Sequence, residues 1–198
     1  MTDISDPDHV REQYADEARL ETRRSVWQPT DDGRDPSNEA FKAIDRAMTG
    51  DAAVLEIGCG TGVMAERINA LPGVTLVAID FSERFVELTA ARGIDARQGD
   101  ICYLPFEDDS FDVVYAGWML YHVRDLDRGL NEVRRVLRPG GTFAGSDSRL
   151  SLRFRLLHVG DTMVVVDPAT MPERLRQAGF ADAATDTGER SFRFRADR

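Results

Sequence analysis

Two hydrophobic patterns alternate along the middle of the chain. Short, continuous apolar runs have the length and composition of strands buried on both faces of a parallel sheet: 54–57, 74–80 and 111–117. Segments with apolar residues three and four positions apart have the periodicity of helices with one buried face: 63–71, 83–91 and 125–137. Shorter strands are predicted over 95–100 and 142–147, and the Arg-Pro-Gly-Gly run at 138–141 is expected to end the helix before the latter.

The two ends of the chain do not follow this alternation of strands and helices. The first fifty residues predict helices over 8–27 and 35–50, joined by a polar loop. Near the other end, 168–179 reads as a capped helix, and 181–187 with 191–195 as a closing hairpin. The chain is therefore expected to form one α/β domain, a doubly wound, mostly parallel, Rossmann-like sheet with an antiparallel C-terminal strand and N-terminal helices.

Composition indicates the size of this domain and the cellular compartment that it suits. With 198 residues and 42% apolar content, the chain can bury one full core. It has no run of eighteen apolar residues and no basic, apolar start, so no membrane span or secretory signal is expected. Its two cysteines form no disulfide framework and no metal-ligand spacing, so a reduced, cytoplasmic setting without a bound metal is the simplest interpretation.

Charge narrows the range of partners. The net charge of −10 disfavours a polyanionic partner, because proteins that bind nucleic acids usually carry a basic face. A small, weakly charged ligand or substrate is the better expectation. The oligomeric state is left open, with a homodimer as one option.

Residues 54–62 are the most informative stretch, because an apolar strand ends there in three alternate glycines, Gly58, Gly60 and Gly62. Such a turn allows positive φ angles and close approach of a ligand to backbone N–H groups. The third glycine comes one residue too early for the dinucleotide fingerprint, although dinucleotide binding remains the alternative interpretation. The Gly-Lys-Ser/Thr ending of a phosphate loop is absent. Two acidic residues suit a ligand other than a dinucleotide or a phosphate. Glu56 precedes the turn, and Asp80 ends the next strand.

These features resemble the first two motifs of class I S-adenosylmethionine (SAM) dependent methyltransferases. The resemblance extends over about residues 52–147 and is closest to the small-molecule enzymes of ubiquinone and menaquinone biosynthesis. It includes Asp100 in a Gly-Asp-x-x-x-Leu-Pro-Phe-like segment and the run from Ser110 to Asp125. The Asn/Asp-Pro-Pro-Tyr/Phe signature of amino-directed nucleic-acid methyltransferases is absent after the fourth strand, where 116–119 read Ala-Gly-Trp-Met.

The resemblance implies a seven-stranded sheet with SAM as cofactor and assigns roles to individual residues. Asp80 would accept hydrogen bonds from the ribose hydroxyls, and Asp100 would accept one from the adenine amino group. Phe81 and Ile101 would lie near the adenine ring, and Glu56 would serve the methionine amino end. The full expected cofactor set is Glu56, Gly58, Cys59, Gly60, Thr61, Gly62, Asp80, Phe81, Ser82, Asp100, Ile101, Gly117 and Trp118.

A division of the chain follows from the same resemblance. Residues 1–50 would form a helical cap over the pockets, 51–147 the cofactor-binding core, and 148–198 a substrate-side segment with the closing hairpin. By analogy, the first helix would turn Tyr14, Arg19, Arg23 and Trp27 toward the active site. The arginines at 149, 153 and 155 could receive an acidic acceptor, although a solvated strand face is the simpler explanation.

Catalysis of methyl transfer requires little acid–base chemistry. The sulfonium carbon is already activated, so positioning and exclusion of water supply most of the rate. A general base is needed only for an acceptor that keeps its proton; His122 is the first candidate and Tyr14 the second, with Tyr121 and His158 behind them. Packing or helix capping by His122 is an equally good account of that residue.

The predicted function is transfer of the SAM methyl group to O, N or C of a small molecule. Two rivals share the fold: a class I enzyme that uses SAM for another reaction, and a non-catalytic SAM-binding accessory subunit. Trp27, Trp118, Met119 and Tyr121 would together suit an apolar or aromatic acceptor.

Overall fold

The computed structural model describes residues 50–148, 166–188 and 191–198, together with Asn38, Phe41, Lys42 and Ile44. In chain order the elements are β1 (Ala52–Ile57), α1 (Val63–Asn69), β2 (Val74–Asp80), α2 (Glu83–Ala90), β3 (Asp95–Gln98), β4 (Phe111–Gly117), a 3-10 turn (Leu120–His122), α3 (Leu126–Val136), β5 (Leu137–Ser148), α4 (Met171–Gln177), β6 (Ala181–Thr187) and β7 (Ser191–Asp197).

The described strands form one seven-stranded sheet in the order β3-β2-β1-β4-β5-β7-β6. Strands β1 to β5 pair in parallel, and β7 is antiparallel to both β5 and β6. The predicted fold class is therefore confirmed. Chain order reverses where β1 lies between β2 and β4, and in sheets of this kind ligands bind beyond the carboxyl ends of the strands at that point.

Apolar side chains cover both faces of the sheet because adjacent residues of a strand point to opposite sides. Leu55 lies in one buried cluster and its neighbour Val54 in the other. The larger cluster includes the stripe of α3 and the apolar side of α4, and the smaller one includes Ala65 and Ile68 of α1. Both faces of β1 are therefore dry, and its polar functions are confined to its carboxyl end.

Strand β5 begins earlier than expected. Residues 138–141, predicted as a stop between helix and strand, lie inside β5, which starts at Leu137 directly after α3. Leu137 pairs with Phe111 and Thr142 with Val113, so one residue of β4 lies opposite four of β5 in a bulge. The backbone of this bulge is paired by the chain end, because Gly140 N donates to Arg198 O and Arg198 N to Gly141 O, both at 2.9 Å.

Other predicted segments lie outside the described residues. These include the helix over 8–27, most of the helix over 35–50, and the arginines at 149, 153 and 155. Of the second helix, Asn38, Phe41, Lys42 and Ile44 are helical, and Ile44 is fully buried in the smaller core cluster. Within the described segments, no helix combines the length and apolarity needed to cross a membrane.

Candidate functional site

The glycine turn after β1 takes the backbone conformation that its sequence predicts. Gly58, Gly60 and Gly62 have φ angles of 76°, 55° and 76°, a region that residues with a Cβ rarely occupy. The N–H groups of Gly58 and Cys59 both donate to the carbonyl of Ile79, at 2.8 and 3.1 Å, which ties the turn to the end of β2. The N–H of Gly62, the residue before α1, donates to the carbonyl of Cys59 at 2.9 Å.

Helix α2 and the residue Arg92 just after it hold this turn from the side, a contact that the sequence did not predict. The Thr89 hydroxyl donates to the carbonyl of Gly60 at 3.1 Å, and Arg92 Nε donates to that of Thr61 at 2.7 Å. Arg92 also pairs with Glu66 of α1 at 2.6 Å. These contacts join residues about thirty positions apart; the one sequence signal for them is a polar Thr89 among the buried positions of α2.

Substitution of two of these glycines by alanine should separate a packing role from a ligand role. A Cβ on Gly58 would lie 2.7 Å from Met119 Cγ, whereas a Cβ on Gly60 would meet nothing within 4 Å. We expect Gly58→Ala to lower the free energy of unfolding by about 2–4 kcal/mol, since left-handed strain adds to the clash. Gly60→Ala should cost only about 1–2 kcal/mol from strain, as urea unfolding would measure.

Cofactor binding, unlike stability, should be sensitive to the substitution at Gly60. The open space above Gly60 is where backbone and ligand are expected to meet, so Gly60→Ala should weaken S-adenosylhomocysteine binding by roughly tenfold or more in a protein that remains folded. Equal unfolding costs for the two variants would contradict the contact of Gly58 with Met119. Unchanged binding by Gly60→Ala would contradict a ligand over the turn.

The carboxylate of Asp80 completes the turn. Its Oδ2 accepts from the N–H of Gly60 and its Oδ1 from the N–H of Ser82, the N-cap of α2, both at 2.9 Å. Burial raises the pKa of the Asp80 carboxyl, opposed by hydrogen bonds from the backbone of Ser82, Gly60 and Phe81. A carboxylate offers about four acceptor sites, so the group can still accept from a neighbouring hydroxyl while these backbone groups hold it in one orientation.

Glu56 lies beneath the turn, at the end of β1. It is 3% exposed, and its Oε2 has no hydrogen-bond partner. Burial, and then the charge of Asp80, raise the pKa of this carboxyl to about 8. A buried acceptor without a partner is costly, so this group is suited to receive a donor from a bound molecule.

The segment after β3 brings a third acid to the same edge of the sheet. Gly99 N donates to Asp80 O at 3.0 Å, which joins this segment to the end of β2. Asp100 Oδ1 accepts from Cys102 N at 2.8 Å and holds the turn that follows. Ile101 is 4% exposed and packs against Gly129 of α3, so its side chain contributes to the core.

The end of β4 is strained and close to the glycine turn. Trp118 has a φ of 59°, a rare conformation for a bulky residue, and its N–H donates to Ser146 O on β5 at 2.7 Å. Strain of this kind is concentrated at functional sites. At Gly117 a Cβ would lie 2.3 Å from the hydroxyl of Tyr115, so Tyr115 excludes any larger residue there.

Some of the candidate bases lie in the described part of the chain and others lie outside it. His122 ends the 3-10 turn after β4, is partly buried, and its ring lies 4.3 Å from that of Tyr121, which is itself buried in the larger core cluster. Tyr14 and His158 lie outside the described residues, as do Arg19, Arg23 and Trp27. Of the candidate bases, His122 and Tyr121 lie in the described part of the chain, and His122 is the less buried of the two.

The other predicted site residues are accounted for by their surroundings. Cys59 is 6% exposed, and burial, then the charge of Asp80, raise the pKa of its thiol, so it is a poor nucleophile. Thr61 has a buried hydroxyl without a partner. Phe81 is half-buried, and its carbonyl accepts from Gln98 Nε2 at 3.0 Å. Among the described residues there is no group of three potential metal ligands.

Comparison with known proteins gives one family and several relatives. Residues 55–145 match the model of a methyltransferase domain family. A demethylmenaquinone methyltransferase of Leptospira interrogans is 30% identical over 148 residues, which are 70% of this chain and 59% of that protein. Sterol 24-C-methyltransferase of Schizosaccharomyces pombe is 33% identical over 114 residues, 54% of this chain and 30% of that protein. The chain thus spans one third to three fifths of these relatives.

Solved structures share the fold at low identity. A putative methyltransferase of Haloferax volcanii, in complex with the activator Trm112, has a TM-score of 0.78 at 18% identity and covers 100% of this chain and 98% of that one. A phosphoethanolamine N-methyltransferase of Haemonchus contortus in complex with SAM has a TM-score of 0.71 at 16% identity, over 81% of this chain and 52% of that one.

Proposed function

The chain belongs to the class I SAM-dependent methyltransferases, and we propose that it transfers the SAM methyl group to an O, N or C atom of a small molecule by in-line displacement. The observation that carries this proposal is the geometry of Asp80. Its carboxylate is oriented by the N–H groups of Gly60 and Ser82 and retains acceptor capacity, as recognition of ribose hydroxyls requires.

The residues present suit the remaining parts of the cofactor. Asp100 would accept from the adenine amino group, with Phe81 and Ile101 beside the ring. Glu56 has an unpartnered buried oxygen for the methionine amino end, next to the turn formed by Gly58, Cys59, Gly60, Thr61 and Gly62. Gly117 and Trp118 would border the methionine portion, opposite the turn.

The chain's contribution to catalysis would be mainly positioning. When bound, SAM supplies an electrophilic methyl group on a positively charged sulfur. The glycine turn and Asp80 would fix the orientation of this cofactor, and the contacts of Thr89 and Arg92 keep the turn rigid. Apolar side chains at the end of β4 would exclude water. Where the acceptor keeps its proton, His122 would remove it, with Tyr14 as the second candidate.

The acceptor is proposed to be a small, apolar or aromatic molecule rather than a nucleic acid. The net charge of −10 opposes a polyanion. Trp118 and Met119 are partly buried beside the core at the end of β4, and relatives named above act on a quinone precursor and a sterol. Residues 1–50 would roof this pocket and 148–198 would form its other side, within one domain formed by 1–198.

A second candidate function is a SAM-binding subunit that becomes active only with a partner chain. The Haloferax volcanii neighbour is matched over nearly its whole length and was solved with an activator. The intact acids and glycines of the cofactor site support catalysis by this chain itself, alone or as a homodimer.

Titration with S-adenosylhomocysteine, followed by transfer of labelled methyl groups from SAM to quinone and sterol precursors, tests the proposal. We expect micromolar binding, about −8 kcal/mol, and label in at least one acceptor. Binding without transfer by the chain alone, but with transfer after addition of a Trm112-type activator, would favour the second candidate. A folded protein that binds neither SAM nor its product would refute both.

A further inference from the structure

Glu56 is a buried carboxyl group at the carboxyl end of β1, and it forms no ion pair with any residue that the structure describes. In the register of the sheet it lies between Ala78 of β2 and Tyr115 of β4. It is 3% exposed, and its Oε2 accepts no hydrogen bond. An ionised carboxylate in such a place would be largely shielded from water and would have no donor at Oε2, an arrangement that favours the protonated form.

The titratable groups around Glu56 increase this preference. On β2 the neighbour is the Asp80 carboxyl, in the glycine turn the Cys59 thiol, and on β4 the Tyr115 hydroxyl. Arg67 and Asp147 act on Tyr115 with opposite signs. Of the three direct neighbours none is a cation, and burial with the charge of Asp80 raises the pKa of Glu56 to about 8.

From this arrangement we infer that Glu56 carries a proton in the empty site and releases it to solvent when a ligand with a cationic amino acid end binds. The inference rests on the proposed function, which brings such a ligand beside Glu56. The O–H bond of the carboxyl breaks, the proton passes to buffer, and the ammonium group becomes the counter-ion of the carboxylate. No electron is transferred.

The sign of the pH dependence follows from linkage. A site that must lose a proton before it binds gains affinity as pH rises, about tenfold for each unit below the pKa of the free group. With Glu56 near 8 in the empty site, the Kd should fall about tenfold between pH 6 and 7 and level off near 8. Measurement below pH 7 keeps the ligand's own α-amino group protonated throughout.

Calorimetric titration of the full chain with S-adenosylhomocysteine at pH 6.5, in buffers of different ionisation enthalpy, counts the protons directly. We expect about one proton released per ligand by the wild-type chain. Adenosine, which lacks the amino acid end, should release none. Glu56→Gln should bind S-adenosylhomocysteine without proton release and with a Kd that changes less than threefold from pH 6 to 7. Glu83→Gln, the same change at an exposed position of α2, should behave like wild type.

Each outcome decides the inference. Binding of S-adenosylhomocysteine by the wild-type chain with no proton release would overturn it and leave the proposed function intact. Persistent release by Glu56→Gln would also overturn it and would assign the proton to another group, with Asp80 the first to test. If the variant fails to fold, the wild-type pH dependence and the adenosine comparison still decide. Absence of any binding would remove the proposed function and this inference with it.

Discussion

Replacement of Asp80 by alanine is expected to abolish measurable cofactor binding at micromolar concentrations. The carboxylate would accept two hydroxyl groups, and hydrogen bonds to a charged group contribute about 1.5–3 kcal/mol each. The predicted loss is therefore about 3–6 kcal/mol, roughly 10²- to 10⁴-fold in Kd. Calorimetric titration of wild type and Asp80→Ala with S-adenosylhomocysteine measures it.

The same side chain also has a structural role that must be separated from binding. It accepts from the N–H groups of Gly60 and Ser82, both at 2.9 Å, and truncation leaves these donors without their partner. We expect a stability loss of about 1–3 kcal/mol in urea unfolding. Asp95→Ala removes an exposed acid from the start of β3, where it pairs with Arg97 at 2.7 Å, and should change binding less than twofold.

Binding by a folded Asp80→Ala variant within threefold of wild type would contradict the role assigned to Asp80. The ligand over the glycine turn would then be recognised by other groups, and the dinucleotide alternative would have to be reconsidered. If Asp80→Ala loses both binding and folding, Asp80→Asn is needed to separate the binding role of this side chain from its structural role. That variant keeps the size of the side chain and one oxygen but cannot accept at both positions.

The fold could be predicted because each central element has one pattern that fits one structure. β2 and β4 occupy the predicted ranges, since short, mostly apolar runs of this length are typical of buried strands. The start of β5 could not be predicted in this way. Pro139, Gly140 and Gly141 signal a break locally, but their backbone pairs with the chain end, a contact of high sequence separation.

The candidate site shows the same difference between local patterns and contacts of high sequence separation. Positive φ at Gly58, Gly60 and Gly62 is a local property of glycine, and the sequence alone predicted the turn. Thr89 lies in α2 and Arg92 just beyond its end, about thirty positions along the chain from the turn that they hold, so local patterns do not indicate these contacts. The groups proposed to touch a cofactor can thus be predicted from the sequence, whereas the contacts that hold the turn cannot.

Replacement of His122 by glutamine is expected to lower kcat by about 10²- to 10⁴-fold for an acceptor that keeps its proton at the attacking atom. Glutamine approximates the size of the imidazole and still forms hydrogen bonds, but it cannot take up a proton. The backbone N–H of His122 donates to Met119 O at 2.9 Å in either case, so the 3-10 turn should persist. Single-turnover methyl transfer from SAM measures the rate.

Two further measurements distinguish a base from a packing residue at this position. Affinity for S-adenosylhomocysteine should stay within about twofold of wild type, because a base acts on the acceptor and not on the cofactor. Arg124→Gln, a change at an exposed position two residues away, should retain the wild-type rate. If His122→Gln instead loses stability in proportion to activity, the ring contact with Tyr121 at 4.3 Å is its main role. An unchanged kcat would mean that catalysis needs only the positioning supplied by the turn and Asp80.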